Sequence, residues 1–388
     1  MAEIGVGLVG YKFMGRAHSN AYRQVGRFFD VDPAPRMTAI CGRDEAGVSE
    51  AARTLGWESY ETDYRRLIAR DDIGLVDVVT PGNTHREIVL AALEAGKHVL
   101  CEKPLANDLA EAREMLEAAR NAGTVNMVCF NYRRAPAVQL ARKLVADGRL
   151  GEIRHWRATY LQDFIMEPDF PLIWRLQKEV AGSGALGDIG AHIVDLAQFV
   201  VGPIAEVTGM TETFIEERPL EEEGPGGGLS ATGGTRMGRV TVDDAAAFLA
   251  RFENGAVGTF EATRFAAGRR NQNSFEVNGS KGSVAFDLER MNELEVFFTE
   301  DDPDVQGFRT VNVTEPDHPY TGAWWPPGHI LGYEHTFIHT MKDLMDGISA
   351  GESPAPTFED GYRCQAVLDA VERSAASGKW TRPETEGI

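Results

Sequence analysis

A lysine follows a short apolar run that has the character of a buried strand. Val99 to Cys101 are apolar, and Glu102, Lys103 and Pro104 come directly after them. A lysine at the carboxyl end of a parallel strand lies on the edge where open α/β sheets bind their ligands, and the proline stiffens the turn that carries it. Such a lysine can polarise a substrate oxygen or carry a proton. Glu102 and Lys103 could equally form a plain polar strand end, so this run by itself leaves both interpretations open.

A second group of reactive side chains follows a glycine-rich stretch at residues 182–187. Asp188 and His192 are four residues apart and would lie on one face of a helix. A carboxylate beside an imidazole raises its basicity and fixes its orientation, which suits proton removal from an alcohol. For Asp188 alone, an aspartate at the start of an ordinary amphipathic helix is the alternative, and Asp195 fits that ordinary helix. A zinc site would need a third ligand at suitable spacing, so we expect no metal.

A glycine turn follows the first strand-like run of the chain. Gly10 and Gly15 bracket it, and a helical segment begins there, which is the setting in which Gly-x-Gly-x-x-Gly binds a dinucleotide pyrophosphate. Lys12 stands where the middle glycine is usual, and its ammonium could compensate through a charge-assisted contact to phosphate. A simple strand-to-helix turn is the alternative. The rest of the domain favours dinucleotide binding, with contacts from Gly10, Lys12, Phe13 and Met14.

The end of the second strand bears on the choice between NAD and NADP. An acid there binds the ribose 2′-hydroxyl, whereas a small residue beside an arginine accommodates a 2′-phosphate. Gly42 stands at the expected acid position and Arg43 follows it, which leans toward NADP. The alternative is that Arg43 stacks on the adenine and Asp44 binds the ribose.

The elements that must position these residues divide the chain at about residue 130. In residues 1–130, strands and helices follow one another in turn, and the strands are continuous apolar runs. This pattern predicts an α/β dinucleotide-binding domain with a parallel sheet covered on both faces. Residues 131–388 predict an α+β domain in which roughly six strand-like runs form a mostly antiparallel sheet with helices on one face, and Ile153 to Leu161 alternates like a half-exposed strand. Residues 216–239, rich in Glu, Gly, Pro and Ser, predict a long, partly mobile loop.

The charge and composition exclude several classes of partner. The formal net charge of -20 over 388 residues argues against nucleic acid and against anionic membrane surfaces. No apolar run approaches the roughly 20 residues of a membrane helix, and the first residues lack the pattern of a signal peptide. The four cysteines contain no Cys-x-x-Cys pair and fit reduced thiols. We therefore expect a cytoplasmic protein.

Four motifs, in this order, give the chain a specific family resemblance. It resembles the Gfo/Idh/MocA oxidoreductases, which include sugar and inositol dehydrogenases, over essentially its whole length. The resemblance implies a Rossmann domain and a second domain built on a large open antiparallel sheet, through which a homodimer or homotetramer would form. It rests on Gly10 to His18, Thr80 to His85, Ala95 to Pro104 and Gly187 to His192.

The resemblance also implies an activity and a set of site residues. It implies hydride transfer between NAD(P) and a secondary hydroxyl or ketone of a sugar, glycoside or cyclic polyol. Lys103 looks like the catalytic lysine beside the nicotinamide, which orients the reacting hydroxyl, while His192 exchanges the proton and Asp188 positions them. Further cofactor contacts are expected from Thr80, Pro81, Asn83, His85, Glu102, Asn131 and Arg175. Besides the catalytic residues, substrate contacts are expected from Tyr132, Arg133, Tyr160, Gln162, Arg175 and Tyr333.

Two other activities remain open on the sequence. One is a redox-neutral glycoside-cleaving enzyme that oxidises, eliminates and re-reduces with a retained NAD. The other is a sensor of sugars or nucleotides without catalysis. The presence of Lys103, Asp188 and His192 together disfavours the sensor, because a sensor has no need of a proton-transfer set.

Overall fold

A computed structural model describes residues 2–221 and 232–385, and they form two compact units. The first unit comprises Met1–Ala135 and Tyr320–Tyr362, and the second comprises Pro136–Pro319 and Arg363–Ile388. Within these described ranges, no helix is long and apolar enough to cross a membrane.

The first unit contains a sheet of six parallel strands in the order β3-β2-β1-β4-β5-β6. Its strands and helices are β1 (Glu3–Val9), α1 (Phe13–Phe28), β2 (Ala34–Cys41), α2 (Glu45–Leu55), β3 (Ser59–Glu61), α3 (Tyr64–Ile68), β4 (Leu75–Val78), α4 (His85–Glu94), β5 (His98–Glu102), α5 (Leu109–Ala122) and β6 (Asn126–Cys129). This is the predicted Rossmann arrangement, and the prediction is confirmed.

Local chemistry explains where these elements begin and end. The carboxylates of Asp44, Asp63 and Asp108 accept backbone N–H groups at the starts of α2, α3 and α5, where helices leave donors without partners. Gly56 and Gly123 end α2 and α5 in the left-handed conformation, which glycine adopts without steric cost. The inner strands β4 and β5 are buried on both faces, as a covered parallel sheet requires.

The second unit is built on a sheet of eight strands in the order β16-β15-β14-β13-β7-β12-β11-β8. Its elements are α6 (Pro136–Ala146), β7 (Ile153–Leu161), α7 (Lys178–Ala181), α8 (Ala191–Val200), β8 (Ile204–Glu212), β9 (Glu217–Glu221), β10 (Gly233–Arg239), β11 (Ala245–Phe252), β12 (Val257–Thr263), β13 (Gln272–Gly279), β14 (Gly282–Asp287), β15 (Glu293–Phe298) and β16 (Arg309–Asn312).

All neighbouring strands of this sheet are antiparallel except β7 and β12, which are parallel. Alternate side chains are buried, and the rings of Phe248 and Phe260 stack with centroids 4.4 Å apart. The mostly antiparallel prediction is therefore confirmed. The strand missing from it is β16, an edge strand whose exposed polar residues carry no apolar alternation.

The loop predicted for residues 216–239 is wrong at both of its ends. β9 and β10 pair there as a two-stranded antiparallel sheet, and residues 222–231 lie outside the described part of the chain. Arg218 is buried, and its guanidinium donates to the carbonyl oxygens of Glu167 and Phe170 at 2.9 and 3.3 Å. Composition did not indicate this strand, because its buried residue Arg218 is hydrogen-bonded to backbone oxygens rather than to water.

The last two helices are α9 (Tyr333–Ala350) and α10 (Phe358–Ser377). The apolar side of α9, including Phe337, Met341 and Leu344, is buried in the same core as Leu8 and Ile40. Residues 320–362 therefore belong to the first unit, which differs from the predicted division into 1–130 and 131–388. A helix 200 or more positions downstream carries no local signal of the sheet on which it packs.

Replacing Leu344 by alanine tests this contribution of α9. Leu344 is fully buried, so Leu344→Ala should lower the free energy of unfolding by about 2–5 kcal/mol through lost burial and a residual cavity. Denaturant titration followed by fluorescence and circular dichroism measures the change. The control is Ser349→Ala at an exposed position of the same helix, which should change it by less than about 0.5 kcal/mol. Equal effects of both variants would contradict the packing.

Candidate active site

The residues predicted in the first unit follow the carboxyl ends of its parallel strands. Gly10 follows β1, Gly42 follows β2, Thr80 lies just beyond β4, Lys103 follows β5 and Asn131 lies just beyond β6. Carboxyl ends of parallel strands share one edge of a sheet, and ligands bind outside that edge where the strand order reverses. Here the reversal lies between β1 and β4. The structure thus brings the predicted cofactor residues of this unit to one edge.

The glycine turn at this edge allows close approach of the backbone. Gly10 has φ +113°, and a Cβ on it would lie 2.9 Å from Val79 Cγ2. A Cβ on Gly15 would lie 2.5 Å from the carbonyl oxygen of Gly10, so both glycines are sterically required. No side chain of the described residues caps the start of α1 at Lys12. The N–H groups of Phe13 and Met14 therefore suit an anion, and the turn fits a dinucleotide pyrophosphate.

The end of β2 is shaped by a tyrosine. A Cβ on Gly42 would lie 2.2 Å from Tyr11 Cε1, so the ring of Tyr11 occupies the space that a side chain at residue 42 would need. Asp44 Oδ2 accepts the N–H of Gly47 at 3.0 Å, and burial and the nearby Asp44 raise the pKa of Tyr11. Arg43 and Asp44 are both exposed. A positive and a negative group thus stand side by side where a ribose would bind.

Lys103 is half-buried and its backbone is anchored by its neighbour. Glu102 Oε2 accepts the Lys103 backbone N–H at 3.0 Å, and Glu102 Oε1 lies 3.0 Å from His18 Nε2. Glu102 is only 5% exposed, so its carboxylate is not a solvent-exposed strand end. Both oxygens of the Glu102 carboxylate have partners inside the protein, so Glu102 holds the backbone of Lys103 in place.

His85 links two loops of the same edge. It is buried, with Nε2 2.8 Å from the carbonyl oxygen of Thr80 and Nδ1 3.1 Å from that of Pro104. Burial lowers the pKa of His85, and the backbone carbonyl oxygens at its ring nitrogens act in the opposite direction. Pro81 and Asn83, between these loops, are exposed. His85 therefore holds the Thr80 and Lys103 turns together, and the exposed residues are the ones available to a cofactor.

The segment after β6 is held against α9. Asn131 donates from Nδ2 to Thr336 Oγ1 at 2.9 Å, and the ring centroids of Tyr132 and Tyr333 are 6.3 Å apart. Arg133 is buried, with Nη2 3.2 Å from Asp360 Oδ1. Burial, with Tyr132 and Glu102 nearby, raises the pKa of Tyr333. The two tyrosines thus form one neutral aromatic pair, whereas Arg133 forms an internal ion pair.

In the second unit, two arginines hold the carboxylate of Asp188. It lies in a π-helical turn, Leu186–Gly190, directly before α8, a distortion that is frequent at functional sites. Arg264 is fully buried and donates from Nη2 to Asp188 Oδ2 at 2.6 Å, and Arg175 Nε lies 3.6 Å from the same oxygen. Burial lowers the pKa of Arg175, whose guanidinium stacks 4.2 Å from the ring centre of Trp174. Asp188 is therefore a fixed anion.

The glycine-rich stretch before it makes a close backbone crossing. A Cβ on Gly184 would lie 1.7 Å from the carbonyl oxygen of Asp243. The half-buried Asp243 carboxylate accepts the N–H groups of Gly184 and Leu186 at 2.7 and 2.8 Å, and desolvation raises the pKa of Asp243. The glycine at 184 is thus needed to seat the π-helical turn.

His192 is the second residue of α8, next to strand β7. It is 6% exposed, and its ring centroid lies 5.7 Å from that of Tyr160. Tyr160 Oη and Gln162 Nε2 both donate to Asn271 Oδ1 at 2.8 Å. The second unit therefore assembles His192, Tyr160 and Gln162, as well as Asp188 with Arg175.

Sequence reasoning missed three residues of this second-unit site as functional candidates. Arg264 pairs with Asp188, Asn271 joins Tyr160 to Gln162, and Asp243 seats the glycine stretch. For Arg264 a signal was available: the arginine directly follows a strand, β12, in which buried and exposed residues alternate.

Comparisons with known proteins agree along nearly the full chain. Residues 4–130 match the oxidoreductase family with an NAD-binding Rossmann fold, and residues 138–285 match the GFO/IDH/MocA C-terminal domain. A levoglucosan dehydrogenase of Pseudarthrobacter phenanthrenivorans is 45% identical over 98% of both chains. An oxidoreductase domain protein from Kribbella flavida has TM-score 0.93 at 56% identity and covers 99% of this chain and 100% of its own. A levoglucosan dehydrogenase in complex with NADH and levoglucosan has TM-score 0.92 at 44% identity, over 98% and 99% of the chains.

The crossing at Gly184 is tested by a pair of alanine variants in the same stretch. Gly184→Ala should destabilise the protein by about 1–3 kcal/mol or more, because the new Cβ must displace the Asp243 backbone. Gly190→Ala is the matched control, since its Cβ would meet Ala262 Cβ at an ordinary 3.4 Å. Thermal unfolding followed by circular dichroism compares the two. If Gly184→Ala melts like the wild type, the close crossing does not exist in solution.

Proposed function

This chain belongs to the Gfo/Idh/MocA family of oxidoreductases, and we propose that it oxidises a secondary hydroxyl of a sugar with NAD(P), reversibly. The observation that carries the proposal is the lysine on the cofactor edge: Lys103 ends a parallel strand and its backbone is tied to a buried carboxylate. The hydrogen bond to this carboxylate fixes the backbone from which the lysine side chain reaches the cofactor edge.

The roles of the side chains follow from their chemistry. The nicotinamide, when bound, accepts the hydride that leaves the carbinol carbon. The Lys103 ammonium donates a hydrogen bond to the reacting oxygen and stabilises the negative charge that builds on it. His192 takes the hydroxyl proton as the carbonyl forms, and Asp188 holds these groups in orientation. In the reverse direction the same groups return the proton to the alcohol.

The substrate class we propose is a compact, hydroxyl-rich sugar such as levoglucosan. A relative 45% identical along the whole chain is a levoglucosan dehydrogenase. The amide of Gln162, the guanidinium of Arg175 and the hydroxyl of Tyr160 can pair with several hydroxyl groups, and unpaired polar groups would penalise an apolar analogue. We assign Tyr132 and Tyr333 to the same substrate, since aromatic faces pack on sugar rings.

For the cofactor we propose NAD(P), with a lean toward NADP that rests on Gly42 and Arg43. Arg43 is exposed beside the glycine, so its guanidinium can meet a 2′-phosphate. We also propose a cytoplasmic location, which suits the buried thiols of Cys41, Cys101 and Cys129.

We further propose a homodimer or homotetramer formed through the large sheet of the second unit. Met210, Leu249 and Val257 are 58%, 48% and 42% exposed and lie on the face opposite the buried Phe248. Apolar side chains on an open sheet face favour association with another copy.

A substrate panel tests the proposed activity directly. Purified protein is mixed with levoglucosan, sugars, glycosides and inositols, with NAD and NADP separately, and reduced nicotinamide is followed by absorbance. Reduction with a sugar supports the proposal. If no substrate changes the absorbance but cofactor remains bound after purification, the redox-neutral glycosidase is favoured instead. If the absorbance does not change and the protein has no affinity for the cofactor, the sensor is favoured.

Lys103→Ala tests the role of the lysine. We expect kcat to fall by at least about 10²–10⁴-fold, because the donor to the reacting oxygen is lost, while NAD(P) affinity measured by fluorescence changes little. Lys143→Ala, at a 62% exposed side chain, is the control and should keep wild-type activity. A Lys103→Ala variant with near-full activity would remove the assignment.

Arg43→Ala tests the proposed preference for NADP over NAD. Loss of a charge-assisted contact to a 2′-phosphate should weaken NADP binding by about tenfold or more and NAD binding much less. Titration calorimetry with both cofactors measures the difference, with Arg66→Ala at another exposed position as the control. Equal losses for NAD and NADP would contradict a lean toward NADP.

A further inference from the structure

A histidine is buried between two carboxylates directly behind Lys103. His18, on α1, is fully buried; its Nδ1 lies 2.8 Å from Asp77 Oδ2 and its Nε2 lies 3.0 Å from Glu102 Oε1. Asp77 is also fully buried, in the interior of strand β4. Carboxylates are rarely buried in the middle of a strand without a partner. The imidazole of His18 on α1 is the partner of Asp77 on β4 and of Glu102 on β5.

The hydrogen bonds of the cluster determine where the protons are. Glu102 accepts on both oxygens, from His18 and from the Lys103 backbone, and Asp77 Oδ2 also accepts the Tyr22 hydroxyl at 3.0 Å. A neutral imidazole has one N–H, so its other nitrogen would turn a lone pair toward a carboxylate. Each ring nitrogen therefore needs a proton between it and its carboxylate, and the doubly protonated ring supplies both protons while the two carboxylates stay ionised.

The surroundings favour the same charge state. Burial disfavours a charged ring, but the Asp77 carboxylate and the neighbouring Cys129 raise the pKa of His18 well above its usual value. Burial likewise opposes the charge on Glu102, yet His18 and the Lys103 ammonium lower the pKa of Glu102. The other neighbours of the imidazole are Cys129 Sγ, 3.6 Å from Nε2, and the ring of Phe337, 5.4 Å between centroids.

We propose that His18 is a positioning residue for Lys103: held as an imidazolium between Asp77 and Glu102, it fixes the carboxylate that anchors the lysine and sets the net charge behind it. The proposal rests on the proposed function in that it takes Lys103 as the catalytic lysine.

The charge of the cluster yields opposite predictions for two variants. With His18 positive and both carboxylates negative, the cluster carries one net negative charge. His18→Gln adds a negative charge behind Lys103 and should raise the midpoint of the Lys103 titration. Asp77→Asn removes one and should lower that midpoint. The double variant restores the original net charge, so its midpoint should return close to the wild-type value. Each single shift should be on the order of half to one pH unit.

The Lys103 titration is measured without any substrate. Lysines are reductively methylated with ¹³C, the Lys103 signal is identified by its loss in Lys103→Arg, and its shift is followed against pH by NMR. Opposite shifts in the single variants, cancelled in the double variant, support the proposal. A merely structural role would lower stability in both variants without opposite shifts, and that result overturns it.

The kinetic form of the same experiment uses the sugar found in the substrate panel. The alkaline limb of the profile of kcat against pH should move to higher pH in His18→Gln and to lower pH in Asp77→Asn, together with the Lys103 titration. If no sugar is turned over, the proposed function fails, whereas the Lys103 titration still decides the proposal about His18.

A measurement on the unmodified chain covers the case in which His18→Gln does not fold. ¹⁵N-histidine spectra at about pH 8.5, where ordinary imidazoles are neutral, should contain an imidazolium signal that moves in Asp77→Asn. A ring with a single protonated nitrogen at this site overturns the proposal. Because His18, Glu102 and Cys129 offer ligand atoms within 4.8 Å of one another, metal content is also measured. One equivalent of zinc that is lost in Cys129→Ser would overturn the proposal, since Nε2 would then bind the metal.

Discussion

The carboxylate of Glu102 connects the interior of the first unit to the reactive edge of its sheet. One oxygen lies against the imidazole of His18 and the other accepts the backbone N–H of Lys103. Burial of a carboxylate is costly unless hydrogen bonds or a charge partner compensate it. A movement of the turn that carries Lys103 would therefore disrupt its hydrogen bond to this buried carboxylate. This restraint fixes the backbone of Lys103, so its flexible side chain starts from a defined position beside the cofactor edge.

The second unit solves a similar problem with the charges reversed. There the functional anion, Asp188, is fixed by the buried guanidinium of Arg264 and by Arg175. Its π-helical turn is seated in turn by Asp243, which accepts two backbone N–H groups of the glycine stretch. In both units the residue with the proposed chemistry is half-buried, and its orientation comes from fully buried partners. Preorganisation of this kind is what electrostatic stabilisation of a transition state requires.

Several parts of the fold could be predicted because they leave local patterns. Continuous apolar runs marked the parallel strands, alternation marked β7 and β11, and glycines marked the turn at Gly10. Other parts leave no such pattern. β16 is an exposed edge strand, β9 is stabilised by a buried arginine within an acidic, glycine-rich stretch, and α9 returns to a core formed by residues far upstream. In each of these, tertiary contacts outweighed composition.

By itself, the sequence determined the order of the elements, the strand-end position of Lys103 and the helical spacing of Asp188 and His192. These properties depend on neighbours within a few residues, where backbone sterics and hydrophobic periodicity act. Only the tertiary structure decided which charges pair: His18 with Asp77 and Glu102, 59 and 84 residues away, and Asp188 with Arg264, 76 residues away. Such partners share no spacing along the chain, because an ion pair needs only that two side chains meet in space.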